Sequence, residues 1–305
     1  MPYFLKIAAL GKFPVVPLSE IDYYAIKNSR LVLNAALAIE EKYDLVISNF
    51  LDLEKELLSI AVEHSVRGDL DYTHIYSIRS SLNRRLVNLL TSGRMYLEQV
   101  GSDAADCVED KAEIKREITD LKSNQYDSCL DYRGMEALRN HVQHSGTAVH
   151  SISLPSSRNK PEAGGFSRVE FNVDMFAIKS ALSENTKFKS SVLEEMPEEF
   201  DLKKAARSYV GAISMIQKNV RAFINPRVTS SRLVLEGHIS VYKEVNLGSA
   251  LALGAYEGDL EKIETVSRPV MVMLDWDDVR VSLSEKNGSL YNMVERYTTS
   301  KITRG

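Results

Sequence analysis

Between Leu18 and Arg67 the chain has neither glycine nor proline, and its apolar residues recur at mixed three- and four-residue spacings. That period belongs to an α-helix with one buried face, and Ser19 followed by Asp22 forms a helix-start pair. Read as one helix, the stretch would be about 70 Å long at about 1.5 Å per residue. This exceeds what one compact domain of this size accommodates, so the pattern predicts two helices with a break between Glu40 and Asn49. A second long helix is expected from Leu70 to Val100, with Ile75, Ile78, Leu82, Leu86, Leu89 and Tyr96 on one face and Gly101 as its stop. The charged stretch from Ser102 to Gln125 reads as an exposed helix, and Tyr126 to Gly146 as another.

The pattern then changes. Residues 148–155 and 167–174 alternate in strand fashion around a Ser/Pro/Gly-rich loop, which suits a β-hairpin with a long tip or a domain linker, and the hairpin is preferred. Beyond it, helices are expected near Met175–Leu182, Lys187–Glu195, Asp201–Phe223 and Ser230–Glu244. A final strand pair at "PVMVMLDW" and "DVRVSLSE" precedes a short helix through "SLYNMVERY". The fold class expected is mainly α, α+β overall. The division expected is a helical bundle over 1–154 and a mixed helical region of unknown role over 155–305.

With 44% hydrophobic and 26% charged residues, the composition is that of a soluble globular protein. A net charge of -4 leaves no global field to attract nucleic acid, so any such contact depends on a local basic patch. No stretch approaches the roughly 20 apolar residues of a membrane span. The N-terminus lacks the basic start and cleavage site of a signal peptide. Cys107 and Cys129, the two cysteines, have no CxxC spacing and no neighbouring histidine, which fits idle thiols in a reducing, cytoplasmic setting.

Chemistry concentrates in "ALRNHVQHSG", Ala137–Gly146. At about 100° per residue, with Arg139 at zero, Gln143 falls near 40°, Asn140 near 100° and His144 near 140°. Met135, Leu138 and Val142 gather at about 260–320°. Arg139, Asn140 and His144 therefore share a polar arc facing away from the core side. Arginine can hold a phosphate through two hydrogen bonds. Histidine can move a proton near neutral pH. If the nucleophile is the 2′-hydroxyl of RNA itself, the chemistry requires no metal and no cofactor. The plainer account of the same residues is that cations in the last turn offset the negative end of the helix dipole.

The string "RNHVQH" resembles the motif of the HEPN superfamily of helical ribonucleases and nucleotide-binding domains: Arg, four to six residues, then His, commonly with Asn, Asp or His right after the Arg. Arg139, Asn140 and His144 match those positions at the shortest spacing, and the wider block resembles bacterial proteins with an "LRNxxQH" segment followed by a strand. The resemblance covers residues 18–154. It implies a HEPN-like bundle in which Arg139 stabilises a phosphate, His144 transfers protons and Asn140 orients one of them or the substrate. It also implies a homodimer whose two motifs line one cleft, RNA as substrate, and a role as a toxin or antiphage effector with a separate antitoxin or sensor. The alternative within the same family is a catalytically silent module that binds RNA, nucleotide or protein. An assembly subunit is a third reading.

Other residues carry weaker signals. Arg84, Arg85 and Arg94 on the second long helix, with His141 and Gln143 beside the motif, are candidate RNA contacts, although solvated charges on an amphipathic helix need no such role. His141 and His144, with His150 downstream, have a metal-ligand look but lack a glutamate between them or a nearby cysteine; a packed His141 is simpler. Asp275, Asp277 and Asp278 in "LDWDD" could hold a divalent cation. An acidic turn between two strands explains them as well.

Overall fold

The computed structural model describes residues 2–68, 71–159, 168–259 and 267–298. The chain is mainly helical with small antiparallel sheets, an α+β fold as the composition and periodicity imply. Its elements, in order, are β1 (Tyr3–Ile7), β2 (Val16–Pro17), α1 (Glu20–Arg67), α2 (Tyr72–Asp106), α3 (Lys111–Ser128) and α4 (Leu130–His144). Then come β3 (Ser151–Ser153), β4 (Ser156–Asn159), β5 (Arg168–Phe171), β6 (Asp174–Ile178), α5 (Lys179–Ser183) and α6 (Ser190–Glu195). The remainder are β7 (Glu199–Asp201), α7 (Leu202–Val245), β8 (Leu253–Glu257), β9 (Val270–Met271), α8 (Asp275–Lys286) and a 3-10 turn at Met293–Glu295.

The chain forms two compact units, each assembled from three segments: Met1–Glu41, Gln99–Ile118 and Lys218–Gly288 in the first, and Lys42–Glu98, Thr119–Gln217 and Ser289–Gly305 in the second. Both draw on residues before and after position 154. In the first unit β1 is a central strand, antiparallel to β2 on one side and to β8 on the other, with β9 beyond β8. Phe4 and Leu5 on β1 are buried with Ile26, Leu33 and Ile39 of α1 and Val220, Ile224 and Tyr242 of α7. Phe4 stacks on Tyr256 at 5.3 Å.

In the second unit β6 is central between β3 and β7. The expected hairpin is present: β3 pairs with β6 and β4 with β5, in one continuing antiparallel register from Ser151↔Phe176 to Asn159↔Arg168. The tip of that loop, 160–167, lies outside the described residues. Asn83 of α2, 9% exposed, anchors the chain leading into this hairpin. The backbone N–H groups of Ala148 and Val149 donate to its Oδ1 at 3.0 and 2.9 Å, and its Nδ2 donates to the carbonyls of Arg79 and Val149 at 3.1 Å.

Several expectations are corrected. Ser19 does start α1, its Oγ accepting the Asp22 N–H at 3.0 Å, but the helix does not break between Glu40 and Asn49. Ile39, Tyr43, Val46 and Phe50 carry the buried stripe through that stretch, and α1 contributes to both units, which removes the length objection. Gly101 does not end α2, because Ala104 and Ala105, good helix formers, are buried one turn on. Residues 175–182 are not one helix. Met175 and Ala177 are buried in alternation on β6, and helix starts only at Lys179. The two helices expected over 201–244 are one, α7, with Pro226 inside. Val220, Ile224, Val228 and Leu235 are buried along it, and this packing offsets the one backbone hydrogen bond that proline removes.

The C-terminal strand pair is also corrected. "DVRVSLSE" lies in α8, whose first turn holds Asp275, Asp277 and Asp278, acids that favour a helix N-terminus. β9 pairs instead with β8, and a 3-10 turn replaces the last helix. The exposed helix expected after Ser102 is α3, which buries Ile114 and Ile118.

Candidate functional site

The site lies in the second unit, on α4. That helix buries Met135 and Leu138 on the side that the helical wheel assigns to the core, with Val142 half-buried there, and it also buries Tyr132 and Ala137, which the wheel places off that side. Gly134 completes it by close approach: a Cβ there would stand 2.6 Å from Cζ of Phe200. A second glycine does the same on α2, where a Cβ on Gly93 would meet the Tyr209 hydroxyl at 2.6 Å. These two glycines let β7 and α7 press against α4 and α2, which fixes the depth at which the motif helix sits.

On the outer side Asn140, Gln143 and His144 are exposed and Arg139 is half-buried. Arg139 Nη1 donates to Asn140 Oδ1 at 3.0 Å, while its Nε is buried with no partner among the described residues. The His144 ring has no hydrogen bond among the described residues. Arg139, Asn140 and His144 thus share one helix face, with Arg139 directly tied to Asn140.

His141 does not join them. It is 6% exposed, with Nδ1 3.0 Å from Asn185 Nδ2, and its ring centroid is 6.1 Å from those of both His150 and Phe188. His150 Nδ1 accepts the Ile178 N–H at 3.0 Å, which holds β6 beneath the end of α4. Burial pushes both imidazoles below their ordinary pKa; the Thr147 backbone opposes this at each, and proximity to His141 adds to it at His150. Both rings therefore favour the neutral form, which suits packing. Among the described residues no cluster of three His, Cys, Asp or Glu groups is arranged to hold a metal ion.

Next to Asn140 the surface opens into a cleft of about 190 Å³. Its floor is a charge network. Glu136 accepts hydrogen bonds from Arg94 Nη1 at 3.0 Å and from the Tyr209 hydroxyl at 2.7 Å, and Arg94 Nε also donates to Glu98 at 2.6 Å. Burial, with Glu136 alongside, pushes the Tyr209 phenol well above its ordinary range, so it remains a donor. The rim is Lys187, Lys189 and Tyr126, with Lys189 Nζ 4.5 Å from the Tyr126 ring centroid and bonded to its hydroxyl.

Of the arginines on α2, Arg94 lines the cleft with its charge already paired, Arg85 reaches Asp52 and Glu56 at 3.5 and 3.7 Å, and Arg84 is exposed with no ion pair among the described residues. The aspartates of "LDWDD" belong to the first unit, where Asp277 is fully buried against Arg232 and Arg280. Cys107 is buried, its thiol pushed up to about 12 by burial and by Asp103 and Asp106, as expected of an idle thiol.

Asn83, Asn185, Tyr209 and the lysine rim lie outside the "RNHVQH" string. A signal for the lysines exists in "KFK": Phe188 is buried, so the residues flanking it are turned outward. No family model, no curated protein and no solved structure matches the chain. No described helix is long and apolar enough to cross a membrane.

Proposed function

We propose that the chain is a metal-independent HEPN-type endoribonuclease, active as a homodimer, that cuts RNA by attack of the substrate's own 2′-hydroxyl on the adjacent phosphorus. The observation that carries this reading is the outer face of α4: an arginine held at Asn140 by a 3.0 Å bond, and an exposed histidine one turn on whose ring is not used by the fold. In this mechanism Arg139 holds the phosphate and offsets the charge that grows in the transition state. His144 accepts the 2′-hydroxyl proton or returns one to the leaving 5′-oxygen, and Asn140 fixes the guanidinium. The partner copy supplies the second motif, so that one histidine can act as base and the other as acid. A toxin or antiphage role in the cytoplasm, restrained by a separate antitoxin or sensor, accords with an activity that would have to be held in check.

A second reading, a catalytically silent module that binds RNA, nucleotide or protein with the same face, is favoured by one feature. Nothing among the described residues orients the His144 ring, whereas catalytic histidines are usually fixed by a hydrogen bond to the second nitrogen. The deciding experiment incubates total and transfer RNA with purified wild type, Arg139→Ala and His144→Ala in EDTA and identifies the product ends. Cyclic phosphate ends from wild type, with about 10²–10⁴-fold slower cutting by His144→Ala, are expected. RNA left intact by wild type, or equal cutting by all three, overturns the ribonuclease reading.

A further inference from the structure

The cleft beside Asn140 is not part of the sequence motif, yet its unused hydrogen-bonding groups are all of one kind. Glu136, its only carboxylate among the described residues, has each oxygen already engaged, one by Arg94 and one by Tyr209. Asn140 uses its carbonyl oxygen on Arg139, which leaves the two amide N–H donors. The Tyr126 oxygen takes up Lys189, which leaves its O–H to donate. Lys189 keeps further N–H donors, and Lys187 makes no ion pair among the described residues. Arg133, which also flanks Tyr126, is committed to Glu195 at 2.5 Å and to the carbonyls of Tyr126 and Asp127. What remains is two ammonium groups, an amide and a phenol, all donors, around a small open cavity.

Such a set suits an oxyanion rather than a neutral or cationic group. At about 190 Å³ the cleft is smaller than the roughly 300–1,000 Å³ of pockets that enclose a whole drug-sized molecule, so it accommodates a phosphoryl group better than an entire nucleotide. The lysines are also held in place. Phe188 between them is buried and packs edge-on against His141 on the inner side of α4, so the loop that carries the rim is anchored to the motif helix itself.

We propose that Lys187 and Lys189, with the Asn140 amide and the Tyr126 hydroxyl, form a phosphate-binding subsite that grips an RNA strand beside the bond presented to Arg139 and His144. The assignment of the strand rests on the ribonuclease reading; that of the phosphoryl group does not. Asn140 is shared by both sites, its oxygen serving Arg139 and its nitrogen serving the subsite.

The test uses the full chain carrying His144→Ala, so that no cutting enters the readout. A labelled short single-stranded RNA is titrated over a salt series by fluorescence anisotropy, with and without the added pair Lys187→Ala and Lys189→Ala. The expected result is about a tenfold weaker affinity and a salt dependence shallower by about two phosphate contacts, recovered when both lysines are replaced by arginine instead. Circular dichroism that overlays the parent's shows that the fold is kept. Unchanged affinity and salt dependence overturn the proposal. A nucleoside monophosphate that binds as tightly as the strand, and loses the same affinity in the lysine pair, overturns the strand in favour of a free nucleotide. If the ribonuclease reading fails for want of cutting, this measurement still decides the subsite. If the enzyme cuts, the lysine pair in the wild-type background raises KM with kcat within about twofold, because uniform binding is what it removes.

Discussion

The C-terminal end of α4 and the N-terminal end of α8 look alike in sequence, each a short run of charged and polar residues at a helix end, and the fold treats them in opposite ways. At α8 the charges of Asp277 and Asp278 are consumed internally, and only the exposed Asp275 has no partner among the described residues. Asp277 is fully buried, receiving Arg232 Nη1 at 2.6 Å and Arg280 Nε at 2.5 Å, while Arg232 also reaches Asp278 at 2.8 Å and Glu236 at 2.8 Å. Burial disfavours the Arg232 cation, and its bonds to the three carboxylates outweigh that and hold its pKa above the ordinary value. At α4 the reverse holds: Arg139 has a single neutral bond to its own neighbour and His144 has none among the described residues. A cluster whose valences are filled by the fold has no capacity left for a ligand. One whose donors face solvent unspent does, and this is why the acidic run is read as structure and the "RNHVQH" face as a site.

That contrast is broken most directly by stability measurements. Asp277→Ala leaves two arginines without their shared buried carboxylate and is expected to lower stability by about 3 kcal/mol. Arg139→Ala removes no structural charge pair and should change stability by less than about 1 kcal/mol. Urea unfolding of both variants checks this, and equal losses would mean that Arg139 is as structural as Asp277. Next in size is Gly134→Ala. Its methyl would stand 2.6 Å from Phe200 Cζ, and overpacking of this kind typically costs about 1–3 kcal/mol. Adding Phe200→Leu should return part of the loss, since residues in contact couple and distant ones do not. Simple additivity in that double variant would show that the close approach does not set the depth of α4.

How much of this was legible in the sequence follows from where the decisive contacts lie. The motif face of α4 was readable because helical geometry is local: Met135 and Leu138 are buried and Asn140, Gln143 and His144 exposed, as the wheel requires. The hairpin after residue 147 was readable because alternation and turn residues are local too. The continuity of α1 and α7 was not. In α1 the length argument presumes one compact domain, and in α7 the division after Phe223 overlooks Val220, Ile224, Val228 and Leu235, whose burial continues through it. Strand β6 reads as helix because its alternation spans only five residues and runs directly into α5, and β1 is missed because its partner β8 is some 250 residues away. The cleft was hidden for the same reason. Arg94, Tyr126, Asn140 and Lys189 come from three helices and a loop, and no local period connects them.

The pH response sharpens the comparison further. His141 and His150 sit beneath the motif with pKa values pushed down from 6.5, mainly by burial, whereas the unfolded chain would titrate near the ordinary value. The unfolded state then binds more protons between those two values, so stability is fully present above about pH 6.5 and falls as the pH drops through the folded pKa values. Protonation would also turn Nδ1 of His150 into a donor facing the Ile178 N–H, the very group it accepts from. Unfolding midpoints at about pH 5.5 and about pH 7.5 should differ less in His150→Gln, whose side chain does not titrate in that range. A midpoint difference as large as the wild type's would place the pH sensitivity elsewhere.

The smallest effect concerns α2, where Arg84 and Arg85 are neighbours in sequence but not in environment. Arg85 is spent on Asp52 and Glu56, while Arg84 is exposed and unpaired among the described residues. By the argument that separates α4 from α8, only Arg84 is free to meet a phosphate. Arg84→Ala should leave stability within about 0.5 kcal/mol and yet lower the salt dependence of RNA binding by about one contact, whereas Arg85→Ala should leave that dependence unchanged. If both variants bind with the wild-type salt dependence, α2 presents only a solvated face, and the RNA path is confined to α4 and the lysine rim.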